Sequence, residues 1–243
     1  MAAPLPAVDW HEAITADSRA LDAAARAAGA GADVPSCPGW TVTELLEHIG
    51  SVLYRASLII GERRERRPHR SETTAPPGDP FGWYEQGRAA ILPALRTADP
   101  DGPYVTFLGP KPLQWWLRRL ANETCVHRVD AEQAAGAPVV IDAAHAADGI
   151  DEKLETYLPV IARQHPPARP VAVTLRADDL DVAWTAAIGD DVTVVREAVP
   201  ADAVVTASAA DLYLWLWDRA DDSRVDLAGD GAAAGALRDS GRV

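Results

Sequence analysis

The sequence predicts an α+β chain, a four-helix bundle followed by a small α+β domain built on an antiparallel sheet. Two patterns carry this expectation. Apolar residues recur at helical spacing through the first half, and the pattern changes to strict alternation after the proline-rich stretch Pro166 to Pro170. Length agrees, because 243 residues supply enough core for two modest domains without staples. The boundaries read as 1–165 for the bundle and 170–243 for the second domain.

The first helix is read from Trp10 to about Ala28, with Trp10, Ile14, Leu21, Ala24 and Ala28 on its inner face and Gly29 to Gly31 ending it. The segment Val34-Pro35-Ser36-Cys37-Pro38-Gly39-Trp40 is a rigid turn that delivers the chain into Thr41. Thr41 and Glu44 form a capping box for a second helix that runs to about Ile60 with Leu45, Leu46, Ile49, Val52 and Leu53 inward. A loop from Pro68 to Pro80 leads to a third helix near Phe81 to Arg96. Pro110-Lys111-Pro112 opens a fourth that continues to about Ala135. A helical segment perturbed at Pro159 spans about Ala143 to His165.

Beyond the linker, Val171 to Leu175, Leu180 to Ile188, Val192 to Val195 and Val204 to Thr206 read as strands. A helix from Ala209 to about Arg219, a short strand from Val225 to Leu227 and a closing helix after Gly229-Asp230-Gly231 complete the domain. Trp215 and Trp217 are two apart on that helix and cannot share a face.

The charge balance excludes one class of partner. With 36 acidic against 23 basic residues, a net charge of -13 and a pI near 4.8, the chain lacks the accumulated positive charge of a nucleic-acid binder. A small molecule is the expected partner. No basic segment followed by an apolar core opens the chain, and no apolar run has the roughly 20 residues of a membrane span, so neither export nor anchoring is expected. The two cysteines, Cys37 and Cys125, are too few for a disulfide framework and read as thiols in a reducing, cytoplasmic setting. Five arginines between Arg63 and Arg70 raise the question of an anion site. Cations at a helix C-terminus complement its dipole, and Glu62 and Glu65 dilute the patch, so the stretch is assigned to solvent.

Chemistry concentrates on the fourth helix. Glu123 and His127 stand at i and i+4, on one face, where they can bind one ion together. Taken alone such a pair is common on helix surfaces. His48, on the inner half of the second helix, supplies a second imidazole; by itself it reads as a hydrogen-bonded core histidine. Two nitrogens and one carboxylate together make the donor set of a catalytic zinc site with an open position. Asp130, at i+3 from His127, is placed to orient that imidazole, or equally to pair with Arg128 or Arg119. Cys37 sits in a turn suited to packing. Cys125 lies about 200° around the helix from Glu123 and reads as a small core residue.

The run Val34-Pro-Ser-Cys-Pro-Gly-Trp-Thr-Val-x-Glu-Leu-x-x-His48, followed by Asn122-Glu123-Thr-x-Val126-His127-Arg128-x-Asp130-Ala131-Glu132, resembles the mycothiol-dependent maleylpyruvate isomerase family. The likeness extends to Ala210-Asp211-Leu212-x-Leu-Trp-Leu-Trp-x-Arg219 and Gly229-Asp230 in the second domain. Asn122 and Val129 depart from the family pattern, in which a histidine and an aromatic residue are frequent.

The resemblance implies a DinB-like N-terminal bundle and a sterol-carrier-like C-terminal domain. It also implies metal ligands at His48, Glu123 and His127, and mycothiol as a thiol cofactor. Arg219 matches a family arginine, which suggests contact with an anionic ligand or an interdomain salt bridge. A metal lowers the pKa of a bound thiol, and the resulting thiolate either adds reversibly to an electrophilic alkene, giving cis–trans isomerisation, or stays attached, giving S-transfer. The partners so implied are a small electrophilic substrate and the thiol. The competing expectation is a non-enzymatic protein with a structural or vestigial metal site and a second domain that holds a small ligand.

Overall fold

A computed structural model describes residues 5–239, and its chain forms two compact units. The first spans Asp9–Val139; the second comprises Val140 onward together with residues 5–8.

The first unit contains α1 (Trp10–Ala28), α2 (Val42–Gly61), α3 (Pro80–Thr97) and α4 (Leu113–Ala134). Side chains cap three of the four starts. The Asp9 side chain accepts from the Glu12 amide at the head of α1, and Asp79 does the same for Gly82 in α3, whose Pro80 needs no amide partner in the first turn. Thr41 and Glu44 form the capping box of α2, with the Thr41 amide donating to Glu44 Oε2 at 2.8 Å. The core joins Ile14, Leu21, Leu45, Leu46, Ile49, Leu53, Ile91 and Leu120. Tyr84 is fully buried with it and donates to the Ser18 carbonyl at 2.7 Å.

Glycine sets the spacing of α2 and α3. A Cβ at Gly87 would meet the Gly50 carbonyl oxygen at 2.5 Å; one at Gly50 would meet Trp83 Cδ1 at 2.7 Å and Tyr84 Cα at 3.0 Å. The two backbones touch where no side chain fits.

The second unit opens with α5 (Ala143–Glu152), a π-helical turn (Lys153–Tyr157) and α6 (Leu158–Gln164). The widened turn answers Pro159, whose ring excludes the carbonyl four residues earlier and whose nitrogen has no hydrogen to donate. Next come β1 (Val171–Ala177), β2 (Val182–Ile188), β3 (Val192–Val195), β4 (Ala203–Ala207), α7 (Ala209–Leu216), β5 (Asp226–Gly229) and α8 (Gly231–Asp239). The sheet order is β3-β2-β1-β4-β5. All pairs are antiparallel except β1 with β4, which run parallel with Leu175 opposite Val205. The sheet is therefore mixed, where alternation in the sequence predicts a wholly antiparallel one.

The division between units falls at Val139, ahead of the 165/170 boundary expected from the sequence. α5 packs against α7, and the buried Lys153 donates to the Leu216 carbonyl at 2.7 Å. Pro166 to Pro170 thus joins α6 to β1 inside one unit. Trp215 and Trp217 face different neighbours, as their spacing requires. The Trp215 indole donates to Asp222, while the Trp217 ring lies 4.1 Å under the Lys153 ammonium. Among the described residues, no helix is long and apolar enough to cross a membrane.

The contact between α2 and α3 is directly testable. Gly87→Ala is expected to destabilise the protein by about 1–3 kcal/mol through overpacking against the Gly50 carbonyl. Gly31→Ala, where a Cβ meets nothing within 4 Å, serves as the control. Thermal unfolding of the two variants checks this, and equal melting temperatures would refute the steric reading.

Candidate metal centre

Three donors converge where α2 and α4 face each other. His48 Nε2 lies 3.4 Å from Glu123 Oε1, and His127 Nε2 lies 3.5 Å from the same oxygen. The ligand atoms of all three residues fall within 4.8 Å of one another. Two donors bound about 2.0–2.2 Å from one tetrahedral ion stand about 3.4 Å apart, so the observed separations suit a single shared cation. Two imidazole nitrogens and a carboxylate are also the appropriate chemistry for a divalent ion of the zinc type.

Two of the three donors are held from behind. The His127 Nδ1 is 2.9 Å from Asp130 Oδ2, which leaves Nε2 directed at the cluster. Asp130 is fully buried and also accepts from Ser36 Oγ at 2.5 Å, with Cys37 Sγ at 3.7 Å. The turn that carries Ser36 and Cys37 is tied to itself, the Val34 amide donating to Trp40 O and the Trp40 amide to Cys37 O, both at 2.9 Å. It bends at Gly39, whose φ of 85° suits glycine. Glu123 receives a charge-assisted bond from Arg119 Nη2 at 2.5 Å, one helical turn earlier. Trp40 closes one side, its ring 5.1 Å from that of His48 and 6.5 Å from that of His127.

Electrostatics favour a cation here. Burial works against charge on Glu123, but Arg119, then His127 and His48, outweigh it and hold the carboxyl well below its usual range. Burial likewise opposes a charged His127, yet the hydrogen bonds to Asp130 and Glu123 win and raise its pKa to about 9. A proton and a metal ion compete for the same Nε2, so the carboxylates that attract one attract the other.

His48 does not occupy the interior, as its apolar neighbours in the sequence suggest. Its side chain is 38% exposed and walls a cavity of about 760 Å³. Arg55, Arg67 and Arg70 line the same cavity. Arg67 and Arg70 are exposed, as the assignment of the arginine-rich stretch to solvent expects, and they also line this cavity. Elsewhere in the stretch Arg64 pairs with Glu62 and Glu72, and Arg63 with Asp99. The linear pattern could not show that the loop folds back over α2, although Arg55, two turns after His48, shares its face. Arg119, offered by the sequence only as a partner of Asp130, pairs with Glu123, which its i, i+4 spacing could have signalled.

Of the remaining residues singled out by the sequence, Asp130 joins the cluster. Arg128 pairs with Asp17 and Glu132, and Cys125 is buried. Arg219 is carried by the second unit, where its Nη1 donates to the Trp217 carbonyl at 2.6 Å.

Comparison with known proteins places the chain in a family. Residues 11–132 match the model of the mycothiol maleylpyruvate isomerase N-terminal domain, and residues 144–236 match that family's C-terminal domain. No curated protein matches significantly. Among solved structures, the crystal structure of the mycothiol-dependent maleylpyruvate isomerase aligns over 93% of this chain and 95% of its own, at 17% identity and a TM-score of 0.62. A histidine-to-alanine mutant of that isomerase aligns over 92% and 95%, also at 17% identity, with a TM-score of 0.60. At such identity the structures establish a common fold, α+β with a helical N-terminal bundle. The two family models together cover most of the sequence, and the chain belongs to the mycothiol maleylpyruvate isomerase family.

Proposed function

We propose that the protein is a metal-dependent enzyme that uses a low-molecular-weight thiol, mycothiol by family, to isomerise a small electrophilic substrate between cis and trans forms. The observation that carries this reading is the meeting of His48 Nε2, Glu123 Oε1 and His127 Nε2 in an arrangement sized for one divalent ion, beside a cavity large enough for a small substrate. The donor set favours zinc. When bound, a divalent ion lowers the pKa of a coordinated thiol and so supplies a nucleophile near neutral pH.

The protein's own residues account for the rest. His48, Glu123 and His127 would hold the ion and, as three ligands, leave a position for the thiol. Asp130 fixes the tautomer and direction of His127, and Arg119 keeps Glu123 ionised and aimed. Trp40 packs beside both imidazoles and limits water on that side. Arg219 is proposed as a contact for the anionic part of a ligand, consistent with its place in the family pattern.

Two measurements test this. Protein purified without chelator should contain about one equivalent of divalent metal by elemental analysis. His48→Ala should lose that metal, and Asp130→Asn should bind it about 10–100-fold more weakly. Full metal content in His48→Ala would overturn the ligand assignment. After cobalt replacement, added mycothiol should shift the visible absorption bands and maleylpyruvate should be isomerised. A cobalt spectrum insensitive to thiol, with no turnover, would instead favour a structural metal in a binding protein.

A further inference from the structure

In a chain with 36 acidic and 23 basic residues, three arginines converge on one cavity. Arg55 comes from the middle of α2. Arg67 and Arg70 come from the loop that follows it. Among the described residues, no carboxylate lies within ion-pair distance of any of the three, whereas Arg64, Arg88, Arg196 and Arg238 are each paired. The acidic groups that line the same cavity are Glu44 and Glu47. Glu44 is committed to the Thr41 cap.

The loop is built to hold these cations in place. Pro68 is buried between the two exposed arginines. The His69 amide donates to Glu72 Oε1 at 2.8 Å, the Ser71 amide to His69 Nδ1, and Arg64 grips Glu72 at 2.5 Å. The Thr74 hydroxyl donates to the Arg70 carbonyl at 2.8 Å. On the facing helix, the Arg55 Nε and Nη2 both donate to Thr73 Oγ1, at 3.4 and 3.3 Å, which orients its guanidinium. Burial, then the nearness of Arg67 and Arg70, lowers the pKa of Arg55, with Glu123 opposing the shift, as expected where like charges stand close together. Guanidinium groups offer planar pairs of donors that match a carboxylate, and a cavity between three of them concentrates an anion.

We propose that Arg55, Arg67 and Arg70 form a carboxylate-binding subsite in the cavity walled by His48, so that the electrophile handled here carries a carboxylate docked on the bundle itself. The identity of that ligand as the substrate rests on the functional reading above; the anion site does not. The subsite draws only on residues of the first unit, whereas Arg219 belongs to the second. It anchors the acid group at the arginines and leaves the rest of the molecule to extend toward His48.

Succinate, a dicarboxylate without an electrophilic alkene, is the probe, titrated calorimetrically into the metal-loaded protein. Saturable binding is expected, weakened by about tenfold or more in the Arg67→Gln/Arg70→Gln double variant. Both positions are exposed, so that variant should keep the wild-type circular dichroism and metal content. His48→Ala should still bind succinate. Equal affinity in wild type and the double variant overturns the subsite, as does the absence of saturable binding. Loss of succinate binding in His48→Ala with retention in the double variant also overturns it, because the anion would then sit on the metal. Inorganic phosphate bound in preference to succinate overturns the carboxylate assignment. Succinate binding that depends on the arginines, in a protein that takes up no metal and shows no thiol-dependent turnover, would defeat the functional reading while leaving the subsite standing.

Discussion

A carboxylate with no access to water must be satisfied by its neighbours, and Asp130 meets that condition by drawing two segments together around itself. It takes the Nδ1 side of His127 from its own helix and the Ser36 hydroxyl from the turn before α2, with the Cys37 thiol close by. The same bonds that satisfy the buried charge fix the direction of an imidazole and the course of a turn. That turn ends at Trp40 and Thr41, and the Thr41 cap starts the helix that carries His48. One buried group therefore relates both halves of the donor set. A proline- and glycine-bearing turn so far from α4 in sequence has its conformation dictated by a helix it does not adjoin.

The donor residues were legible because helices make their geometry local. Glu123, His127, Asp130 and Arg119 follow from multiples of the helical turn, and the capping box at Thr41 marks where α2 begins. His48 was harder to place. Its apolar neighbours in the chain suggest the interior, whereas its ring lies at a cavity wall, because the side opposite is a loop whose path no periodicity encodes. For the same reason Arg67 and Arg70 look like solvated charge in one dimension and become cavity lining in three.

The second unit shows a similar division. Its strands and helices follow from alternation and turn residues, but the parallel pairing of β1 with β4 depends on the irregular stretch between Arg196 and Asp202, which has no periodic signal. The proline-rich stretch signals a break, and the sequence alone does not say whether a break separates domains or elements. The packing of α5 on α7 and the buried Lys153 decide it. Pro159 perturbs its helix where expected, and the response is a single widened turn rather than an end.

The close approach of α2 and α3 at Gly50 and Gly87 has a wider meaning for how this scaffold diversifies. His48 stands on a helix locked backbone to backbone against its neighbour, while the opposite side of the cavity is a connecting loop bound mainly by its own side chains. Insertions or exchanges in that loop would reshape what the cavity admits and leave the donor geometry intact. The bundle thus separates chemistry from choice of ligand, and a lineage can change the second without reinventing the first.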